Sequence, residues 1–466
     1  LKAMGFPARR SAGKDVPFCT GFAALRGVTC RLLLGVLLLL LAGPGGRLSP
    51  GLADVSGETP FEANASSGAD ILSGDAGERG SIRLLFVGDI MVHAPQLEAA
   101  KRVTPSRKEE GGKGETVYDF APFFAEVRSL LRSADLAAGN LETTLGDPRK
   151  GYRGYPSFNS PDSLAEALRD AGFDLLFTAN NHCLDSGASG LVRTLHALAS
   201  ADLCSTGTFA AEASRDIPCI VERGGIAVGF LAYTYGTNGI PVPSDRPWLV
   251  NLLDETLVSA DVAALRKETD LLVVAFHFGN EYARHPSAAQ RRFVSLALRN
   301  GADIVVGSHP HVLQRVFVSR DVSPVSGERE TPLSADRMTV VAYSLGNFVS
   351  FQRTVPRDTG AVLGIDAARD DDGVVRIRRV FTVPTWVQAA RRKEGREIRI
   401  LPLLDTLARL DAGEKPRISS AEEKRMRAAL AEALEALTGK KTPLPPEEGV
   451  WVLWQRREKL YPTPSP

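Results

Sequence analysis

The sequence predicts an α/β fold, and three observations carry that expectation. Short apolar runs alternate with segments of helical spacing through the middle of the chain. The apolar runs end repeatedly at polar residues of metal-binding type, at the sheet edge where α/β proteins bind their ligands. Composition is that of an ordinary globular protein, 44% apolar and 24% charged over 466 residues. That composition excludes a collagen-like chain, a wholly disordered chain and a polytopic membrane protein. With 56 basic against 55 acidic residues, the net charge is +1. No global field favours nucleic acid, which is not an expected partner. Five cysteines are too few for a disulfide-dense scaffold.

Taken in order, the chain opens with Lys2, Arg9, Arg10, Lys14, Arg26 and Arg31 against the single acid Asp15, and then the apolar run Leu32–Ala42. A basic stretch followed by about 11 apolar residues predicts a secretory signal peptide over 1–43. A signal anchor is the alternative, although a spanning helix usually needs about 20 apolar residues. Residues 44–80 are rich in Gly, Ser, Ala and acids without apolar periodicity, and read as a flexible linker. The folded part is therefore expected outside the cytoplasm, secreted or held to the membrane by the N-terminal segment.

The body is expected over 81–390. Strands are predicted at Ile82–Val87, Leu136–Ala138, Leu175–Thr178, Ile226–Tyr233, Leu271–Phe276, Ile304–Val306 and Val340–Tyr343. Helices are predicted at Pro161–Ala171, with the proline suited to a first turn, at Gly187–Ser200 and at Ser287–Arg299. Lys101–Thr116 and Ser319–Arg337 read as surface loops. Residues 391–466 read as a C-terminal helical and Pro-rich extension. Its Ser420–Leu437 segment has a serine cap, an acidic first turn and an amphipathic pattern, which predicts a packing helix with a solvated face.

Seven residues just beyond strand ends are candidates for chemistry: Asp89, Glu142, Asn181, His182, His277, His309 and His311. Each also has a structural reading. Asp89 and Asn181 would serve as turn or cap residues, Glu142 as a surface carboxylate, and His182 and His277 as hydrogen-bonded core histidines. The His309-x-His311 pair is less easily read that way. As a set, carboxylate, amide and imidazole without thiolate suit a divalent ion such as Mn, Zn or Fe. Two such ions about 3.5–4 Å apart clamp a phosphoryl centre and acidify a bound water. Arg284 lies close in sequence, where it would meet an anionic substrate. His93 and His196 are read as structural.

Six segments in order carry a family resemblance: FVGDIM at 86–91, NLE at 140–142, ANNH at 179–182, HFGNEY at 277–282, GSHPH at 307–311 and YSLGNF at 343–348. Together they resemble the CapA family of capsule-synthesis proteins linked to poly-γ-glutamate, which looks like a branch of the calcineurin-like metallophosphoesterases. The resemblance covers 82–352. It implies a four-layer α/β/β/α sandwich with its site at the strand ends, in an envelope-associated protein. By resemblance, Asp89, Glu142 and His311 would hold one ion, and Glu142, Asn181, His277 and His309 a second. His182 would be a general acid, and Glu281 would orient a ligand or bind substrate, unless it forms a loop salt bridge. Asn347 would fix a turn.

One departure matters. The broader phosphoesterase pattern has Asp-x-His at the first strand, and here Met91 replaces that histidine, which leaves one ion or two open. The implied role is synthesis, export or anchoring of a capsule polymer. The implied partners are an anionic polymer or phosphoester substrate and membrane-bound capsule-synthesis proteins. A metal-dependent hydrolase and a non-catalytic polymer-binding module are the alternatives.

Overall fold

The computed structural model describes residues 80–103, 115–320, 337–393, 395–441, 446–447 and 449–456. The expected signal segment, all but the last residue of the expected linker, and the interiors of the two surface loops lie outside these residues. No helix among the described residues is long and apolar enough to cross a membrane.

The first apolar run forms β1 (Ser81–Ile90), followed by α1 (Ala94–Ala100), an exposed hairpin of β2 (Lys101–Val103) and β3 (Thr116–Tyr118), and α2 (Arg128–Arg132). Next come β4 (Leu136–Leu141), α3 (Ser163–Ala171), β5 (Leu175–Phe177), α4 (Gly187–Ser200), β6 (Cys204–Thr206) and a single turn, α5 (Glu212–Arg215). The second half contributes β7 (Ile220–Arg223), β8 (Ile226–Thr234), α6 (Glu255–Leu265), β9 (Leu271–His277), α7 (Ala288–Asn300) and β10 (Ile304–Ser308). Then follow β11 (Val316–Ser319), β12 (Thr339–Ala342), β13 (Asn347–Val349), β14 (Thr359–Arg369), β15 (Val375–Arg392) and β16 (Gly395–Pro402). The chain closes with α8 (Leu403–Asp411), α9 (Ser420–Thr438) and β17 (Trp451–Gln455).

The helix boundaries follow local chemistry. Ser287 and Gln290 form a capping box at the start of α7, and Ser419 and Glu422 do so for α9. Both helices end on a left-handed glycine, Gly301 and Gly439. Pro161 lies one residue before the N-cap Asp162, and its carbonyl accepts a hydrogen bond from Leu164 N at 3.0 Å as α3 begins.

Two sheets face each other. One has the order β16-β15-β14-β1-β4-β5-β6, with β13 added beside β1 and β17 beside β15; the other has the order β11-β12-β10-β9-β8-β7. β1, β4, β5 and β6 run parallel in the first, and β8, β9, β10 and β12 in the second. Alternation along each strand divides the core. Leu84 and Phe86 of β1 face Val273 and Val306 of the other sheet. Leu85 and Val87 turn outward onto α2 and α3, while Val274 and Val305 turn the opposite way onto α6 and α7. The result is the four-layer α/β/β/α sandwich that the resemblance implied.

The C-terminal part differs from the expectation. The boundary expected after residue 390 falls inside β15, and β16 extends the same sheet. Ala433, Leu434 and Leu437 of α9 are buried in the core between the sheets, so the helix is part of the domain and not an appendage. Asp358 pins it there. Its carboxylate accepts two hydrogen bonds from Arg425 of α9, at 2.7 and 3.0 Å, and a third from Trp386 Nε1 at 2.8 Å. Burial acts to raise the Asp358 pKa, but the Arg425 and Trp386 hydrogen bonds outweigh it and hold the carboxyl below its ordinary value.

A depressed carboxylate contributes stability that is full above the unfolded-state pKa of about 3.9 and is lost as pH falls through the folded value. Asp358→Asn is therefore expected to cost about 3 kcal/mol at neutral pH, with the gap to the parent closing below about pH 4. Denaturant titrations across that range check both statements. A gap of the same size at every pH would assign the loss to packing instead.

Candidate metal centre

The parallel strands of both sheets end on the same side, and their C-terminal ends carry the candidate residues. Asp89 lies near the end of β1, Glu142 follows β4, Asn181 and His182 follow β5, His277 ends β9, and His309 and His311 follow β10. Two glycines let these strands close up. A Cβ on Gly88 would run into the Gly346 carbonyl, and one on Gly307 into the Tyr343 carbonyl. With Gly88 in place, Asp89 N donates to Gly346 O at 2.9 Å, which aims the Asp89 side chain inward. His309 and His311 both have left-handed backbones, with φ of 98° and 57°. Each such residue costs about 1–3 kcal/mol and persists where the surroundings demand it, typically at a functional site.

The side chains converge. Ligand atoms of Glu142, His309 and His311 lie within 4.8 Å of one another, as do those of Asp89, Glu142 and His277. Glu142 belongs to both groups. Its Oε1 lies 3.6 Å from His277 Nε2 and 3.7 Å from His311 Nε2. Asp89 Oδ2 lies 2.9 Å from His311 Nδ1. His277 Nε2 lies 2.9 Å from Asn181 Oδ1, which places Asn181 against the cluster through its imidazole neighbour.

Burial and charge set the protonation states. Burial and the nearby Asp89 push the Glu142 carboxyl well above its ordinary value. Burial also acts to raise Asp89, but its His311 contact brings it below. Burial lowers His277 well below its ordinary value and holds His309 at about 4. Neutral imidazole is the form that binds a cation, and a bound cation would favour loss of the Glu142 proton.

The residues fit a divalent ion on two further observations. Among the described residues, Glu142 Oε1 and His309 Nδ1 are buried polar atoms without a hydrogen-bond partner, and both residues lie in the ligand cluster. A buried acceptor left unsatisfied costs about 1–3 kcal/mol, more if charged, and a cation at the cluster would remove that cost. The donor set is oxygen and nitrogen, suited to Mn, Zn or Fe. Such an ion supplies Lewis acidity and an acidified water. Met91, where the resemblance expected a histidine, is buried.

The chain's own residues prepare the surroundings. His182 Nδ1 lies 2.8 Å from Asp185 Oδ2, which fixes the ring, and the ring stands edge-on to Phe158 at 4.7 Å. Glu281 and Arg284 are exposed on the loop after β9. Arg284 lines a small cavity with Leu313, Pro356, Thr359 and residues of α9. His93 is a neutral, mostly buried ring against Phe158, held at about 4 by burial.

Three residues of the centre escaped the sequence reading. Asn140 Nδ2 donates to Asp89 Oδ1 at 2.8 Å and to Glu142 Oε2 at 3.2 Å, and lies 3.2 Å from His277 Nδ1. One amide thus holds the two carboxylates together. Asp185 and Tyr235 are the others; the Tyr235 ring lies 4.6 Å from that of His309. Asp185 had a signal, three residues after His182, and Asn140 had one as part of the NLE segment at 140–142.

Residues 83–352, more than half of the chain, match the family model described as bacterial capsule synthesis protein PGA_cap. The chain belongs to this family. Two curated proteins are similar to it. Capsule biosynthesis protein CapA of Bacillus anthracis is 30% identical over 282 residues, 58% of this chain and 60% of that protein. PGA biosynthesis protein CapA of Bacillus subtilis (strain 168) is 28% identical over 284 residues, 59% of this chain and 66% of that protein. The chain thus spans three-fifths to two-thirds of these PGA_cap relatives. A Staphylococcus aureus structure assigned as a 5′-nucleotidase aligns over 75% of this chain and 58% of its own, at a TM-score of 0.40 and 14% identity.

Proposed function

We propose that this chain acts outside the cytoplasm in making, exporting or anchoring a polyglutamate-type capsule polymer, through a metal centre at the strand ends. In this reading Asp89, Glu142, Asn181, His277, His309 and His311 hold one or two divalent ions. Glu281 and Arg284 meet the anionic ligand at the rim. Membrane-bound capsule-synthesis proteins are the partners, and the N-terminal segment directs the chain to them. Family membership supports the role. The observation that carries the metal centre is the pair of unpartnered buried ligand atoms, Glu142 Oε1 and His309 Nδ1, inside one cluster.

The test is genetic complementation. A deletion strain is expected to lose surface polymer, to regain it with the parent gene and not to regain it with Glu142→Ala at equal protein abundance. Unchanged polymer in the deletion strain would end this reading.

A second reading concerns chemistry. In this reading His182, braced by buried Asp185 and outside both ligand groups, acts as the proton donor. That supports hydrolysis of a phosphoester or another anionic substrate. Hydrolysis across an ester panel by the ion-loaded protein, lost in His182→Ala with ion content intact, would support it.

A further inference from the structure

At the mouth of the centre, an arginine lies flat on an exposed tyrosine. The Arg357 guanidinium carbon is 3.3 Å from the centroid of the Tyr282 ring. Tyr282 is 38% exposed, and its ring lies 6.1 Å from that of His311. Both residues are tied to the turn that carries His309 and His311. Tyr282 N donates to Pro310 O at 2.8 Å. The buried Asn347 amide donates to Arg357 O at 2.8 Å and to His311 O at 3.3 Å. Asn347 pairs in register with Asp89. Its role is therefore wider than fixing a turn: one buried amide links the Arg357 loop to the candidate ligands.

Two arginines, Arg353 and Arg425, are committed to the protein. Arg353 donates to Val387 O, and Arg425 pairs with Asp358. The Arg357 guanidinium makes no hydrogen bond or ion pair among the described residues; the tyrosine face is its contact. Stacking leaves the planar edge of a guanidinium open, with N–H groups spaced for a carboxylate or phosphate. It also limits the rotamer freedom that a long side chain would otherwise lose on binding. The Arg357 cation forms no ion pair with Asp89, Glu142 or Glu281 among the described residues.

We propose that Arg357, laid on Tyr282, recognises an oxyanion of the ligand, carboxylate or phosphate, at the mouth of the metal centre. This rests on the metal-centre reading and names the ligand chemistry for it. The exposed Tyr235, beside His309, would flank the carbon part of the same ligand.

The test uses the full chain loaded with Mn or Zn, with ion content measured separately. Two probes are titrated calorimetrically: a short γ-linked glutamate oligomer and inorganic phosphate. Arg357→Ala is expected to weaken one or both by at least about tenfold, the scale of one charge-assisted hydrogen bond. Arg357→Lys is expected to recover part of the loss, with ion content and melting temperature at parent values throughout. A loss confined to the oligomer assigns the site to a carboxylate polymer, and one confined to phosphate assigns it to a phosphoester. Equal affinities of parent and Arg357→Ala for both probes, or no saturable binding to the ion-loaded parent, would overturn the proposal. Ion content reports on the metal-centre reading alone, so failure of that reading is seen separately.

Discussion

Glu142→Gln is expected to abolish ion binding while leaving the ion-free protein within about 1 kcal/mol of the parent, or more stable. The two effects share one cause. In the ion-free fold, Glu142 is a fully buried carboxyl facing Asp89, and only Asn140 donates to both. Burial and the nearby Asp89 hold the Glu142 carboxyl well above the ordinary value, toward the neutral form, so a neutral isostere changes little in the ion-free fold. With ion present the order reverses. The parent gains about 2.7 kcal/mol at an ion concentration a hundred times its Kd, and a variant lacking the shared ligand gains nothing. Melting curves with chelator and with added Mn or Zn measure both. An ion-free variant several kcal/mol less stable than the parent would mean that Glu142 is a structural residue.

Deletion of residues 419–466 is expected to prevent cooperative folding. The deletion removes α9, whose Met426, Leu434 and Leu437 are all at most 3% exposed. At about 1.5–3 kcal/mol for each side chain, their burial amounts to about 5–9 kcal/mol, against a typical net stability of about 5–15 kcal/mol. The deletion also strands the Asp358 carboxylate without Arg425 and uncovers Trp386 of β15. Calorimetry of the truncated chain is the check. A cooperative transition near the parent's melting temperature would show that the body folds alone, as the sequence suggested.

That contrast shows what was legible. Strands such as Leu271–His277 announce themselves, because a strand buried on both faces is a continuous apolar run. The α9 helix was equally plain, since its cap and amphipathic pattern are local. Its burial was not, because the partner surface lies on β14 and β15, distant in sequence. β15 itself gave a weak signal. It carries Pro384 in its interior, which argues against a strand, and it buries Thr382, Thr385 and Gln388, which read as surface residues. The site divides the same way. Asp89, Glu142, His277, His309 and His311 stand at strand ends, where residue type and position together are informative. Arg357 and Tyr235 act through contacts that only the folded chain creates, and no spacing marks them; Asn140 lay in the NLE segment, but its bonds to both carboxylates did not show there.

The strand ends are proposed to form a metal centre. Metal content per chain of the purified parent, Glu142→Ala and His309→Ala, each prepared under the same metal-replete conditions, tests it most directly. One or two ions in the parent, lost in both folded variants, is the expected result. A folded parent with no bound ion would contradict the account.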